Sequence, residues 1–68
     1  MLVALLTIEQ KDQLIGQIYT NDSYFNPIQD CNDNWIISLE EVEYCNNPSF
    51  SWVITLPTIE YCIKIEEI

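Results

Sequence analysis

Apolar residues open the chain as an unbroken run, Met1 to Leu6 (MLVALL). Leu2, Ala4 and Leu6 would occupy one face of a strand, and Val3 and Leu5 the other. Such a strand needs cover on both sides. The pattern then changes period. Thr7-Ile8-Glu9-Gln10 fits a capping box, with Thr7 as N-cap and Gln10 at the third helical position. Ile8, Leu14, Ile15 and Ile18 follow on one helical stripe. The expected helix runs on to Tyr19–Asn21, where Thr20-Asn21-Asp22-Ser23 provides turn residues. Gly16 is expected only to weaken its last turn, by about 1 kcal/mol relative to Ala.

Pro27 keeps Tyr24 to Asp30 out of a helix and pushes Asn26 into extended space. Asn34 to Ser38 (NWIIS) is aromatic and β-branched, so it reads as a strand. Cys31-Asn32-Asp33 between the two predicts a β-hairpin, with Trp35 and Ile37 on one face and Ile36 and Ser38 on the other. Ser38-Leu39-Glu40-Glu41 is a second capping box, and Ile37 can staple onto Val42. The helix it starts carries Leu39, Val42 and Cys45 and stops at Asn46-Asn47-Pro48. Over Pro48 to Leu56 two signals conflict. Asn47-Pro48 suggests a helical start, whereas Trp52-Val53-Ile54-Thr55 favours extended chain. A turn followed by extended chain is expected. From Thr58 to Glu66, Ile59, Tyr61, Ile63 and Ile65 alternate with polar or small residues, which predicts a half-buried strand.

These elements describe a single α+β domain over residues 1–68. It has an N-terminal strand and helix, a β-hairpin, a short capped helix and a C-terminal strand, in an antiparallel or mixed sheet. At 68 residues, with about half of them apolar and 19% charged, the chain can fold but has little core to spare. One core of this size supplies about 3–5 kcal/mol. Three cysteines, Cys31, Cys45 and Cys62, cannot all pair with one another. Free thiols in a reducing compartment are therefore expected, with an intermolecular disulfide as the alternative. Met1 to Leu6 lacks the basic flank and cleavage site of a signal peptide and is too short to span a bilayer.

Charge narrows the functional classes. Eleven acidic residues face two lysines and no arginine, for a net charge of −9. That excludes ordinary nucleic-acid binding and disfavours anionic membranes, while allowing a basic protein partner. With no His and no Arg, an imidazole base and a bidentate phosphate clamp are both missing, and no enzyme activity or cofactor is expected. One motif carries possible metal chemistry. Asp30-Cys31-Asn32-Asp33-Asn34-Trp35-Ile36-Ile37-Ser38-Leu39-Glu40-Glu41 resembles a calcium loop: Asp30, Asn32 and Asn34 stand at positions 1, 3 and 5, the Ile36 carbonyl at 7, Ser38 at 9 and Glu41 at 12. Two departures count against it. Position 6 is Trp35 where Gly is needed, and Pro27 blocks an entering helix. Turn and cap requirements explain the same residues without a metal.

Several stretches, Tyr24 to Asp30 (YFNPIQD), Asn34 to Ser38 (NWIIS), Glu40-Glu41-Val42, Asn47-Pro48 and Leu56-Pro57, resemble small uncharacterised proteins encoded by phages and prophages of gut bacteria. The resemblance spans Asp22 to Tyr61, implies no activity and transfers no functional residue. It implies a bacterial cytoplasm or a phage particle as location. Together the expectations describe a small, acidic, non-enzymatic interaction or accessory protein. Its partner is a protein, with a second copy of the chain among the candidates. The alternatives are an acidic inhibitor that occupies a basic nucleic-acid-binding surface, and a weak calcium-binding module.

Overall fold

The computed structural model describes residues 1–63. Its elements are β1 (Leu2–Leu6), α1 (Ile8–Leu14), β2 (Ile18–Thr20), β3 (Ser23–Tyr24), β4 (Ile28–Gln29), β5 (Trp35–Ser38), α2 (Leu39–Glu43), a 3₁₀ segment (Pro48–Thr55) and β6 (Thr58–Glu60). The class is α+β. β4, β5, β1 and β6 form a four-stranded sheet in that order, and β2 with β3 a separate hairpin; every pairing is antiparallel.

The apolar opening run becomes an interior strand. Leu6 pairs with Trp35 and Val3 with Ser38 on one side, and Leu2 pairs with Glu60 on the other. Both edges of β1 are thus hydrogen-bonded, and Val3, Ala4 and Leu6 are buried. The register divides the sheet into two faces. One carries Ala4, Leu6, Trp35 and Ile37, and the other carries Val3, Leu5, Ile28, Ile36 and Ile59.

Helices and aromatics cover the first face. Leu14 from α1, Phe25 and Val53 join Ala4, Leu6 and Ile37 in the buried core. Tyr19, Phe25, Phe50 and Trp52 form a chain of rings, with successive centroids 5.1, 6.5 and 6.2 Å apart. Such tilted and edge-on pairs suit the ring quadrupole. Lys11 lies over Trp35, its Nζ 4.5 Å from the ring centroid.

Both capping boxes form. The Gln10 N–H donates to Thr7 Oγ1 (3.1 Å), and the Thr7 N–H donates back to Gln10 Oε1 (2.9 Å). Ser38 and Glu41 repeat the arrangement at α2. The expected extension of the first helix to Tyr19–Asn21 does not occur. Ile15 (φ −58°, ψ 125°) and Gly16 (φ 80°) make a type II turn, closed by the Gln17 N–H on the Leu14 carbonyl at 3.0 Å. Such a turn needs a residue with positive φ at its third position, and Gly16 supplies it. Of the expected stripe only Leu14 is buried; Ile8, Ile15 and Ile18 are exposed. Asn21 and Asp22, both at positive φ, then turn β2 into β3, the geometry a two-residue hairpin loop requires.

Two further expectations are overturned. Pro48–Thr55 is helical and not extended, with the Asn47 side chain accepting from the Ser49 N–H at 2.9 Å. The cap and Pro48 at the first position outweigh the strand preference of Trp52 to Thr55, and the turn drops Val53 into the core. Phe50 (φ −120°) kinks the segment, which keeps each 3₁₀ piece short, as its eclipsed side chains require. The last strand covers only Thr58–Glu60, and Tyr61 to Ile63 leave the sheet. The remainder of its expected span, 64–66, lies outside the described residues.

Candidate functional site

The cysteines are where the structure departs furthest from expectation. Cys31 and Cys62 are joined by a disulfide, with Cα atoms 5.3 Å apart and a sequence separation of 31. That spacing lies within the ordinary range for a bridge. Cys45 alone is free, half-buried, with its thiol directed at the Phe50 carbonyl. The physical reason for the correction is placement. Cys31 follows β4 by two residues and Cys62 follows β6 by two, and β4 and β6 are the two edge strands. The bridge therefore ties the ends of both sheet edges together.

Asp30 sits beside the bridge and is fully buried. Burial alone would push its carboxyl pKa up. Hydrogen bonds from the Asn34 and Asn32 N–H groups, the Asn34 side chain and the Cys62 backbone outweigh that and hold it below the usual carboxylate range. Its Oδ1 accepts from Asn32 at 2.9 Å and from Asn34 at 3.0 Å, and its Oδ2 accepts from Asn34 Nδ2 at 3.4 Å. The Asp33 φ of 64° completes the turn, with the Asp30 N–H on the Asn34 carbonyl. The carboxylate thus replaces the backbone partners that a five-residue loop leaves over.

This arrangement holds Asp30, Asn32 and Asn34 together, without Glu41. Asp30 faces N–H donors, Asn32 and Asn34 supply those donors, and Ile36 lies in the ladder of β5. Glu41 is directed elsewhere: its Oε1 accepts from Ser38 Oγ (3.0 Å) and its Oε2 from the Asn26 N–H (2.9 Å). Among the described residues no group of three His, Cys, Asp or Glu side chains is placed to hold a metal ion.

The second face of the sheet carries an apolar groove of about 300 Å³. Val3, Ile28, Ile36 and Ile37 supply its apolar lining, and Asn26, Ser38 and Glu41 its polar lining. Met1 and Tyr61 stand at the rim. The Tyr61 N–H donates to the Met1 carbonyl at 2.7 Å, and the Met1 ammonium pairs with Glu60 at 2.9 Å. Glu41 is only 9% exposed, and the carboxylate that caps α2 is also the one carboxylate of the groove lining. Sequence reasoning recovers the cap but not the contact with Asn26, fifteen residues earlier, nor the part played by Tyr61 and Met1. Each depends on pairing between distant segments, which no local pattern reports.

Comparison of the chain with protein-family models, curated proteins and solved structures finds no match. No helix among the described residues is long and apolar enough to cross a membrane.

Proposed function

We propose that the chain is a small, non-enzymatic protein-interaction domain whose groove receives an apolar side chain flanked by Lys or Arg on a partner protein. The observation that supports this reading is the groove itself: a mostly apolar lining that includes one carboxylate. A carboxylate with two oxygens has more acceptor capacity than its three cap and backbone donors use. The net charge of −9 adds long-range attraction for a basic partner and repels acidic ones. The related reading, an acidic inhibitor of a basic nucleic-acid-binding protein, draws on that same charge.

A phage-related origin agrees with the small size and acidity. An intramolecular disulfide persists in oxidising surroundings, virion surfaces included, and is rare in reducing cytoplasm. Of the two expected locations, the phage particle therefore fits the Cys31–Cys62 bridge better.

The test uses isotope-labelled protein titrated with two short peptides, one alternating Leu and Lys, the other Leu and Glu. Shifts at Val3, Ile36, Ser38 and Tyr61 with the basic peptide only, weakened by salt and by Glu41→Gln, are expected. Gln keeps one oxygen for the cap but loses an acceptor, for the Asn26 N–H if the cap is kept, so a thermal melt of the variant shows that it is folded before it is titrated. Equal response to both peptides, or shifts centred on Trp52 and Ile54, would remove the groove from the reading. Sedimentation velocity over a range of concentrations identifies a second copy of the chain as the partner.

A further inference from the structure

We propose that the Cys31–Cys62 disulfide is a redox latch that holds Tyr61 at the rim of the groove, and that its reduction opens the groove while the opposite face of the sheet stays folded. The biological use of the latch rests on the docking reading above; its existence does not.

Three observations meet at the bridge. Tyr61, the residue before Cys62, stands at the groove rim, so whatever fixes Cys62 fixes Tyr61. Beyond β6 the described segment is held by few groups. The Tyr61 N–H reaches Met1, the Cys31 N–H reaches the Cys62 carbonyl at 3.0 Å, and the Cys62 backbone reaches Asp30. Two of those three depend on Cys62 lying against the Asp30–Cys31 turn. By contrast, the core residues Ala4, Leu14, Phe25, Ile37 and Val53 lie on the other face of the sheet or pack against it, and none belongs to the bridge.

Both bridge cysteines are only half-buried, so an external thiolate has a route to the sulfurs. The chemistry is ordinary exchange with a dithiol. One thiolate of the dithiol attacks a bridge sulfur, the Cys31–Cys62 S–S bond breaks and a mixed disulfide forms. The second dithiol sulfur then displaces the remaining cysteine. The dithiol leaves oxidised as a disulfide, and Cys31 and Cys62 take up two electrons and two protons. Asp30 keeps its bonds from Asn32 and Asn34, so the turn itself survives the loss of Cys62.

The experiment uses the whole chain carrying Cys45→Ser, which prevents reshuffling through the third thiol. Alkylation without reductant should label neither remaining cysteine; labelling of both would show that the latch is never closed and would overturn the proposal. Amide exchange is then followed with and without dithiothreitol. We expect the Tyr61 and Cys62 amides to exchange at least about tenfold faster after reduction, as in a local opening. Ile36, Ile37 and Leu5 should stay protected. A fluorescent apolar dye should bind the reduced protein only. Cys31→Ser with Cys62→Ser should reproduce the reduced state without dithiothreitol. Unchanged exchange at Tyr61 would mean that hydrogen bonds alone hold the segment. Simultaneous loss of protection throughout the sheet, or failure of the double variant to fold, would make the bridge a structural staple. Either result overturns the latch. Peptide binding plays no part in these readouts, so a failed docking reading would leave them interpretable.

Discussion

Ile36 and Ile37 are neighbours in β5, each only 1% exposed, yet they belong to two differently built halves of the molecule. Ile37 faces a core closed by Leu14, Phe25 and Val53, with an aromatic chain behind them. Ile36 lines the groove with Glu41 and Tyr61, and Tyr61 is followed by the bridge residue Cys62. Equal exposure therefore conceals unequal packing. One side is stabilised by burial of surface, which is distributed over many atoms. The other is fastened at a few points, each of which can be released separately.

The sharpest break of this comparison comes from truncating the two isoleucines in turn. Ile37→Ala should fall at the upper end of the range for such changes, about 4–5 kcal/mol, because the core around it has little freedom to collapse. That approaches the whole stability of a domain this size, so urea unfolding should show a largely unfolded protein. Removing the bridge by Cys31→Ser with Cys62→Ser should cost less than the roughly 3–4 kcal/mol that denatured-state entropy alone gives for a loop of this length, because the opened segment gains freedom in the folded state. The protein should still unfold cooperatively, at a lower urea midpoint. Ile36→Ala should cost only about 2 kcal/mol, because its side chain borders space that already exists. Equal losses at Ile36 and Ile37 would show that the two faces are packed alike.

Asp30 sharpens the comparison through pH. Its carboxyl is held below the usual carboxylate range in the folded state, so its contribution is complete above the unfolded value of about 3.9 and lost as pH falls through the lower folded value. Asp30→Asn should lower the thermal midpoint at neutral pH, since an amide places donors where only donors point. The gap between variant and parent should narrow in acid below the ordinary carboxylate range. The smallest effect belongs to the core side. Lys11→Met keeps the apolar stem against Trp35 and removes the charge over the ring, at a cost of about 0.5–1 kcal/mol. It is measured by difference in urea midpoints.

How much of this could be read from the residues depends on the range of each interaction. Thr7 with Gln10 and Ser38 with Glu41 were legible because a capping box is complete within four positions. The hairpin turn at Asn32-Asp33 was legible for the same reason. Gly16 is ambiguous in sequence because a penalty within a helix and an aptitude for positive φ belong to the same residue, and the fold uses the second. At Trp52 to Thr55 intrinsic strand preference was real but small beside a cap, a proline and a vacant core position for Val53. The bridge and the groove were hidden for a different reason. With three cysteines any pairing is compatible with the spacing, and only the order of strands in the sheet brings Cys31 to Cys62. The groove requires Met1 and Tyr61 at one rim, which β6 arranges by returning beside β1.

The central position of β1 has a consequence for how the protein is made. Its neighbours are β5, around position 36, and β6, around position 59, so during synthesis this strand leaves the ribosome well before either partner exists. Until residue 60 has emerged, at least one edge of an apolar segment stays open, and pairings this distant in sequence close slowly. Nascent chains in that condition are prone to associate with one another. α1 follows β1 directly and is capped from within its own first turn. It is therefore the element able to form early and to shield one face of the waiting strand, so slowing translation beyond position 20 should raise the soluble yield.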